Sequence, residues 1–125
     1  MASGINPNER RTAPRVAERI RFALLQDGNT LEAETRNLST SGAYCTTSRF
    51  IAPMTKLQVQ FDLPGGARKS TIRCTGVVVR AEPVIAAPDR GEFHIAIFFS
   101  DLSERDREAI AQFVRARLAS ATPTR

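Results

Sequence analysis

Residues 56–63 read KLQVQFDL. Leu57, Val59, Phe61 and Leu63 alternate with Lys56, Gln58, Gln60 and Asp62. A period of two puts one face in a core and the other in water, which is the pattern of a half-buried strand. Outward from this stretch the same period recurs. PGG at 64–66 interrupts it. STIRCTGVVVRAE at 70–82 then reads as a long strand, with Gly76 marking a bulge or sharp bend. PVIAAPDRG at 83–91 is a loop, and EFHIAIFF at 92–99 is the last strand, with Phe93, Ile95, Ile97 and Phe99 inward. Toward the N-terminus, a loop holding Pro53 separates KLQVQFDL from AYCTT at 43–47. TLEAETRNL at 30–38 sets Leu31, Ala33 and Thr35 against Glu32, Glu34 and Arg36. DGN at 27–29 is a turn signal, and ERIRFALL at 18–25 places Ile20, Phe22 and Leu24 on one face.

The period changes after residue 100. SERDREAIAQFVRARL, residues 103–118, carries Ile110, Phe113, Val114 and Leu118 at helical spacing. Ser103 is a good N-cap. Glu104 and Asp106 suit the positive end of the helix dipole, and Arg115 and Arg117 the negative end. Six short antiparallel strands in a chain of 125 residues tend to close into a barrel, because closure removes exposed edges. The expected architecture is an all-β barrel of six strands with one C-terminal α-helix packed on it. It forms a single domain over 10–118, between a polar tail at 1–9 and a short tail at 119–125.

Composition narrows the function classes. Apolar residues make up 42% of the chain, enough for one core. No apolar run reaches the 18 residues of a membrane span, and the N-terminus lacks the apolar stretch of a signal peptide, so a cytoplasmic location is expected. Cys45 and Cys74 fall in strand patterns and read as small core fillers. The net charge is +5, and sixteen of the eighteen basic residues are Arg. Arginine is suited to phosphate and to the guanine edge, although GC-rich codon usage produces the same excess.

Catalytic patterns are absent from the sequence. The one histidine, His94, alternates with core positions and has no second His or Cys pair as a metal partner. No nucleophile elbow and no glycine-rich phosphate loop leading into a helix occur. The expectation is a protein without enzyme activity, metal or resident cofactor.

Two short patterns remain. RRTAPR at 10–15 places Arg11 and Arg15 in the spacing R-x-x-x-R, in a loop where Pro14 disfavours helix. Alone this carries nothing, since about two such pairs arise by chance in a chain this rich in Arg; Arg15 and Arg19 make another. NLSTSG at 37–42 contains Asn37-x-Ser39-x-x-Gly42. The pattern [D/N]-x-S-x-x-G is expected only about 0.03 times by chance here, and it falls at a strand end and turn.

The order RRTAPR, strand, turn, strand ending in NLSTSG, four further strands including TGVVVR and GEFHIAIFF, then a helix, resembles the PilZ domain family, bacterial receptor modules for the second messenger cyclic di-GMP. The resemblance covers about residues 10–118. It implies a PilZ-like split barrel and a ligand-binding set of Arg10, Arg11, Arg15, Asn37, Ser39 and Gly42. It further implies a nucleotide-binding receptor that acts on an unidentified protein partner in trans, with no nucleic-acid polymer as ligand.

Elementary chemistry fits those residue types. Guanine offers two acceptors, O6 and N7, that one guanidinium meets together. Guanidinium also stacks on purines and pairs with phosphate. Asn37 can accept from guanine N1 and N2, Ser39 can add a hydrogen bond, and Gly42 lets a ligand come close and tolerates positive φ. The basic loop, residues 8–16, is polar and short of apolar anchors, so it is expected to close over a bound ligand. Turn roles for Asn37, Ser39 and Gly42 stay open beside these. Thr40 and Ser41 read as turn residues, and Arg80 as a solvated strand-end charge. Three other functions compete: an enzyme that cleaves cyclic dinucleotides, whose metal-binding carboxylate or His clusters the sequence lacks, a PilZ-like adaptor that binds no nucleotide, and a small basic barrel for single-stranded nucleic acid. The last needs exposed aromatics for stacking, and the chain has no Trp and one Tyr.

Overall fold

The first hairpin turns in two residues. Asp27 and Gly28 both have positive φ, 52° and 81°, and Gln26 pairs with Asn29 across them. This is the primed turn whose twist matches that of the flanking strands. The structure is a computed structural model that describes residues 15–64, 70–84 and 92–121. The expected tail at 1–9, the basic loop up to Pro14, the parts of the PGG and PVIAAPDRG loops at 65–69 and 85–91, and residues 122–125 lie outside them.

Six strands follow in chain order: β1 (Arg21–Gln26), β2 (Asn29–Leu38), β3 (Gly42–Thr47), β4 (Lys56–Leu63), β5 (Ser70–Pro83) and β6 (Phe93–Phe99). They close as a barrel in the order β1-β2-β3-β6-β5-β4, with every neighbouring pair antiparallel. KLQVQFDL behaves as its alternation demands. Leu57, Val59, Phe61 and Leu63 are buried and the four polar residues between them are exposed. At the centre Phe22 stacks on Phe61 with centroids 4.0 Å apart and planes at 8°, and Phe99 lies 6.1 Å from Phe61. Residues 48–55 connect β3 to β4, and Ile51 there is buried.

Two β-bulges interrupt the ladders, one between Thr35 and Asn37 and one between Val78 and Arg80. Gly76 is not one of them, contrary to expectation. It stays in register with Leu57 and Phe99. A side chain there would meet Ile97 Cγ2 at 2.6 Å and Val59 Cγ2 at 2.8 Å, so the glycine makes room for core side chains. The register shift of β5 falls instead at Val79.

Helix α1 (Glu104–Ala121) starts as expected, with the Asp106 N–H donating to Ser103 Oγ at 3.0 Å. Ile110, Phe113 and Val114 are buried. Two expectations are corrected. Leu118 is 36% exposed, unlike Ile110, Phe113 and Val114 of the same stripe. The helix also continues past 118 into the expected tail, since nothing from 119 to 121 breaks it and Pro123 disfavours helix only at the residue before itself. Arg115 and Arg117 are therefore not in the last turn. Arg115 pairs with Glu108 at 3.5 Å, and Arg117 with Glu18 at 3.4 Å, its guanidinium 4.8 Å from the Phe113 ring centroid.

Candidate functional site

The NLSTSG stretch begins at the first bulge. Ala33 and Thr35 face the core, so simple alternation would send Asn37 inward as well. Arg36 is the extra residue: Thr35 pairs with Cys45, and Asn37 with Tyr44, the next residue along β3. The bulge reverses the pleat. Leu38 becomes fully buried, and half-buried Asn37 joins exposed Arg36 on the outer wall.

The turn after it is made by Ser39. Its side chain is 0% exposed. Ser39 Oγ accepts from the Ser41 N–H at 3.1 Å, lies 2.9 Å from Ser41 Oγ and 3.4 Å from the Gly42 carbonyl, and the Ser39 N–H donates to that carbonyl at 2.9 Å. This hydroxyl braces the turn. Gly42 has a different reason from the expected positive φ, which it does not have. A Cβ there would collide with the Ile97 carbonyl oxygen, so glycine is what lets β3 approach the β6 backbone.

The basic segment arrives alongside. Val16 and Leu38 exchange both backbone hydrogen bonds, each 3.0 Å, as an isolated bridge. Arg15 is thereby set beside Asn37, and its Nη1 donates to Asn37 Oδ1 at 2.6 Å. Between Val16 and β1 the chain runs antiparallel alongside β2, where the Thr35 N–H donates to the Ile20 carbonyl at 2.9 Å. The Thr35 hydroxyl accepts from the Ile20 N–H at 2.8 Å and donates to the Glu18 carbonyl at 2.6 Å. The ladder with β2 consequently starts at Arg21 and not at Glu18. Arg10 and Arg11 lie outside the described residues.

The outer wall beyond Asn37 follows the pairing. Asn37 pairs with Tyr44, Tyr44 with Ala96, and Ala96 with Arg80. At about 4.8 Å per strand, Arg80 stands about 14 Å from Asn37. Small Ala96 leaves this row low between Tyr44 and Arg80. His94 faces outward as expected, its ring 5.4 Å from that of Tyr44. Three exposed arginines, Arg15, Arg36 and Arg80, thus border a face that offers an amide and an aromatic ring. Such a face suits an anion with planar groups. Sequence reading missed Thr35, Tyr44 and Ala96. Tyr44 and Ala96 carried one signal, their outward parity in buried-alternating strands.

Other candidates are weaker. A depression of about 430 Å³ beside Arg19, Arg21, Gln60 and Asp62 contains none of the motif residues and mixes charges of both signs. Cys45 and Cys74 are free thiols, and burial pushes both up to about 12, Asp101 and Asp106 adding to the rise for Cys74. Among the described residues no group of three or more His, Cys, Asp or Glu is placed to hold a metal ion. None of their helices is long and apolar enough to cross a membrane.

Residues 9–116 match the family model of the PilZ domain. Among solved structures, the fold is similar to the inhibitor of motility MotI/DgrA of Bacillus subtilis, with a TM-score of 0.79 and 16% identity over 90% of this chain. The match covers 53% of that protein, so this chain spans about half its length. It is also similar to the PilZ domain of YcgR from Escherichia coli, whose structure was determined with c-di-GMP. There the TM-score is 0.66 and the identity 12%, over 90% of this chain and 94% of that one. At these identities the likeness is one of fold. No curated protein matches the chain.

Proposed function

The chain belongs to the PilZ domain family, and on that premise we propose that it is a cyclic di-GMP receptor that closes its arginine segment over the ligand and signals in trans to a protein partner. One observation carries this reading. Arg15 of the R-x-x-x-R motif and Asn37 of the N-x-S-x-x-G motif share a hydrogen bond of 2.6 Å although 22 positions separate them. This contact supports reading the two signatures as parts of one site.

The proposed roles follow from chemistry. Arg11 and Arg15, with Arg10, supply charge to the phosphates and a planar fork to guanine O6 and N7. Asn37 Oδ1 has two lone pairs. It can keep Arg15 and still accept from a guanine N–H, or release Arg15 to the ligand. Ser39 and Gly42 act mainly by shaping the wall: one braces the turn, the other brings β3 against β6. No step of this mechanism transfers a bond, so the protein works as a binding module without a cofactor.

The adaptor reading has an observation of its own. The Ser39 hydroxyl makes its hydrogen bonds inside the turn, and Gly42 is demanded by packing, so both have duties that need no ligand. Titration calorimetry with cyclic di-GMP at stated salt, on the wild type and Arg11→Ala/Arg15→Ala, separates the two. Micromolar or tighter binding that the variant loses supports the receptor. A folded wild type with no heat of binding rejects it in favour of protein partners.

A further inference from the structure

We infer that Thr35 is a positioning residue of this site: its hydroxyl holds residues 18–20 against β2 and, together with the Val16–Leu38 bridge, sets where Arg15 stands. The inference rests on the ligand reading above. Thr35 is fully buried, at the position where the outward-turning bulge begins. Its hydroxyl accepts from the Ile20 N–H at 2.8 Å and donates to the Glu18 carbonyl at 2.6 Å. Its own N–H reaches the Ile20 carbonyl at 2.9 Å. One side chain therefore satisfies two backbone groups of a segment that is not yet in the β1 ladder.

The geometry beyond it explains the consequence. From Ile20 the segment runs to Val16, whose two bonds with Leu38 fasten its far end, and Arg15 is the next residue. Glu18, midway, also carries the ion pair to Arg117 of α1. Without the hydroxyl, the Glu18 carbonyl and the Ile20 N–H each lose this partner, an expensive state for buried backbone. The segment then keeps the Val16 bridge, the Ile20 carbonyl bond and the Glu18 ion pair, and is held more loosely between them. The Arg15 guanidinium, next to the Val16 end of that segment, is then less firmly preset for an anion. Preorganisation of this kind adds to affinity by lowering the ordering cost at the moment of binding. Threonine suits the position because its hydroxyl makes the two bonds while its methyl fills the core; valine keeps the shape and loses the bonds.

Cyclic di-GMP titrations at 15 °C on the wild type, Thr35→Val, Thr35→Ser, Arg15→Ala and Arg15→Ala/Thr35→Val test this, with melting curves confirming that each protein is folded. Thr35→Val is expected to bind about tenfold more weakly, and Thr35→Ser within about threefold of wild type. If Thr35 acts through Arg15, adding Thr35→Val to Arg15→Ala costs little more, a failure of additivity that general destabilisation would not produce. A folded Thr35→Val with wild-type affinity, or losses that multiply fully in the double variant, overturns the positioning role while leaving the receptor reading intact. A wild type that binds nothing overturns both.

Discussion

The Arg15 guanidinium donates to the Asn37 side-chain oxygen at 2.6 Å, joining the end of the basic segment to the outer wall of β2. Both partners are solvent-accessible, so the contact contributes little to folding and is available to a ligand. Arg15→Ala is expected to leave the melting temperature nearly unchanged. It should weaken cyclic di-GMP binding by about 1.5–3 kcal/mol, or about ten- to 150-fold, as for other charge-assisted hydrogen bonds. Calorimetry reads the affinity and a thermal melt the stability. An Arg15→Ala protein with wild-type affinity contradicts the assignment.

Gly42 and Gly76 separate backbone from side-chain crowding. A methyl at 42 collides with the Ile97 carbonyl oxygen, whereas a methyl at 76 meets the side chains of Ile97 and Val59 at 2.6 and 2.8 Å. Side chains can rotate away; a paired strand cannot. Gly42→Ala is expected to cost more than Gly76→Ala, the latter falling in the usual range of about 1–3 kcal/mol for overpacking. Urea unfolding of the two variants checks the order.

Asp101 predicts a pH dependence. Its carboxylate accepts from the Thr75 N–H at 2.6 Å and from the Thr75 hydroxyl at 2.9 Å, and these bonds, the backbone one first, hold its pKa below the ordinary 3.8. A carboxyl lowered on folding contributes stability above its unfolded pKa and loses it as pH falls through the folded value. Asp101→Asn should therefore melt below the wild type at neutral pH. The gap should narrow as pH drops below 3.8. A gap that is constant from pH 7 to the acid limb rules this out.

The two thiols should be silent in the folded protein. Cys45 is 0% and Cys74 5% exposed, and both are pushed up to about 12, so almost no thiolate exists at pH 8. A maleimide or disulfide reagent is expected to modify neither until guanidinium is added, and then both. Rapid labelling of the native protein would show that the barrel opens locally.

Much of the barrel was legible from period alone. KLQVQFDL is β4 from Lys56 to Leu63 as its alternation requires, and DGN is the primed turn. Those features depend on neighbours within a few residues. Gly76 was not legible in this way: it answers to side chains arriving from β4 and β6. Among site residues, Asn37 and Arg15 were visible as motif positions, yet nothing local said that they touch.

The sequence by itself determined the six strands, the helix and the pair of motifs, because hydrophobic period, caps and turn chemistry are written residue by residue. Only the tertiary structure decided which way the motif faces. The extra residue at Arg36 reverses the pleat and sends Asn37 outward, Thr35 clamps the incoming segment, and the bridge from Val16 to Leu38 brings Arg15 within bonding distance. A bulge and a bridge are relations between separate strands, so their energies arise only once those strands are paired.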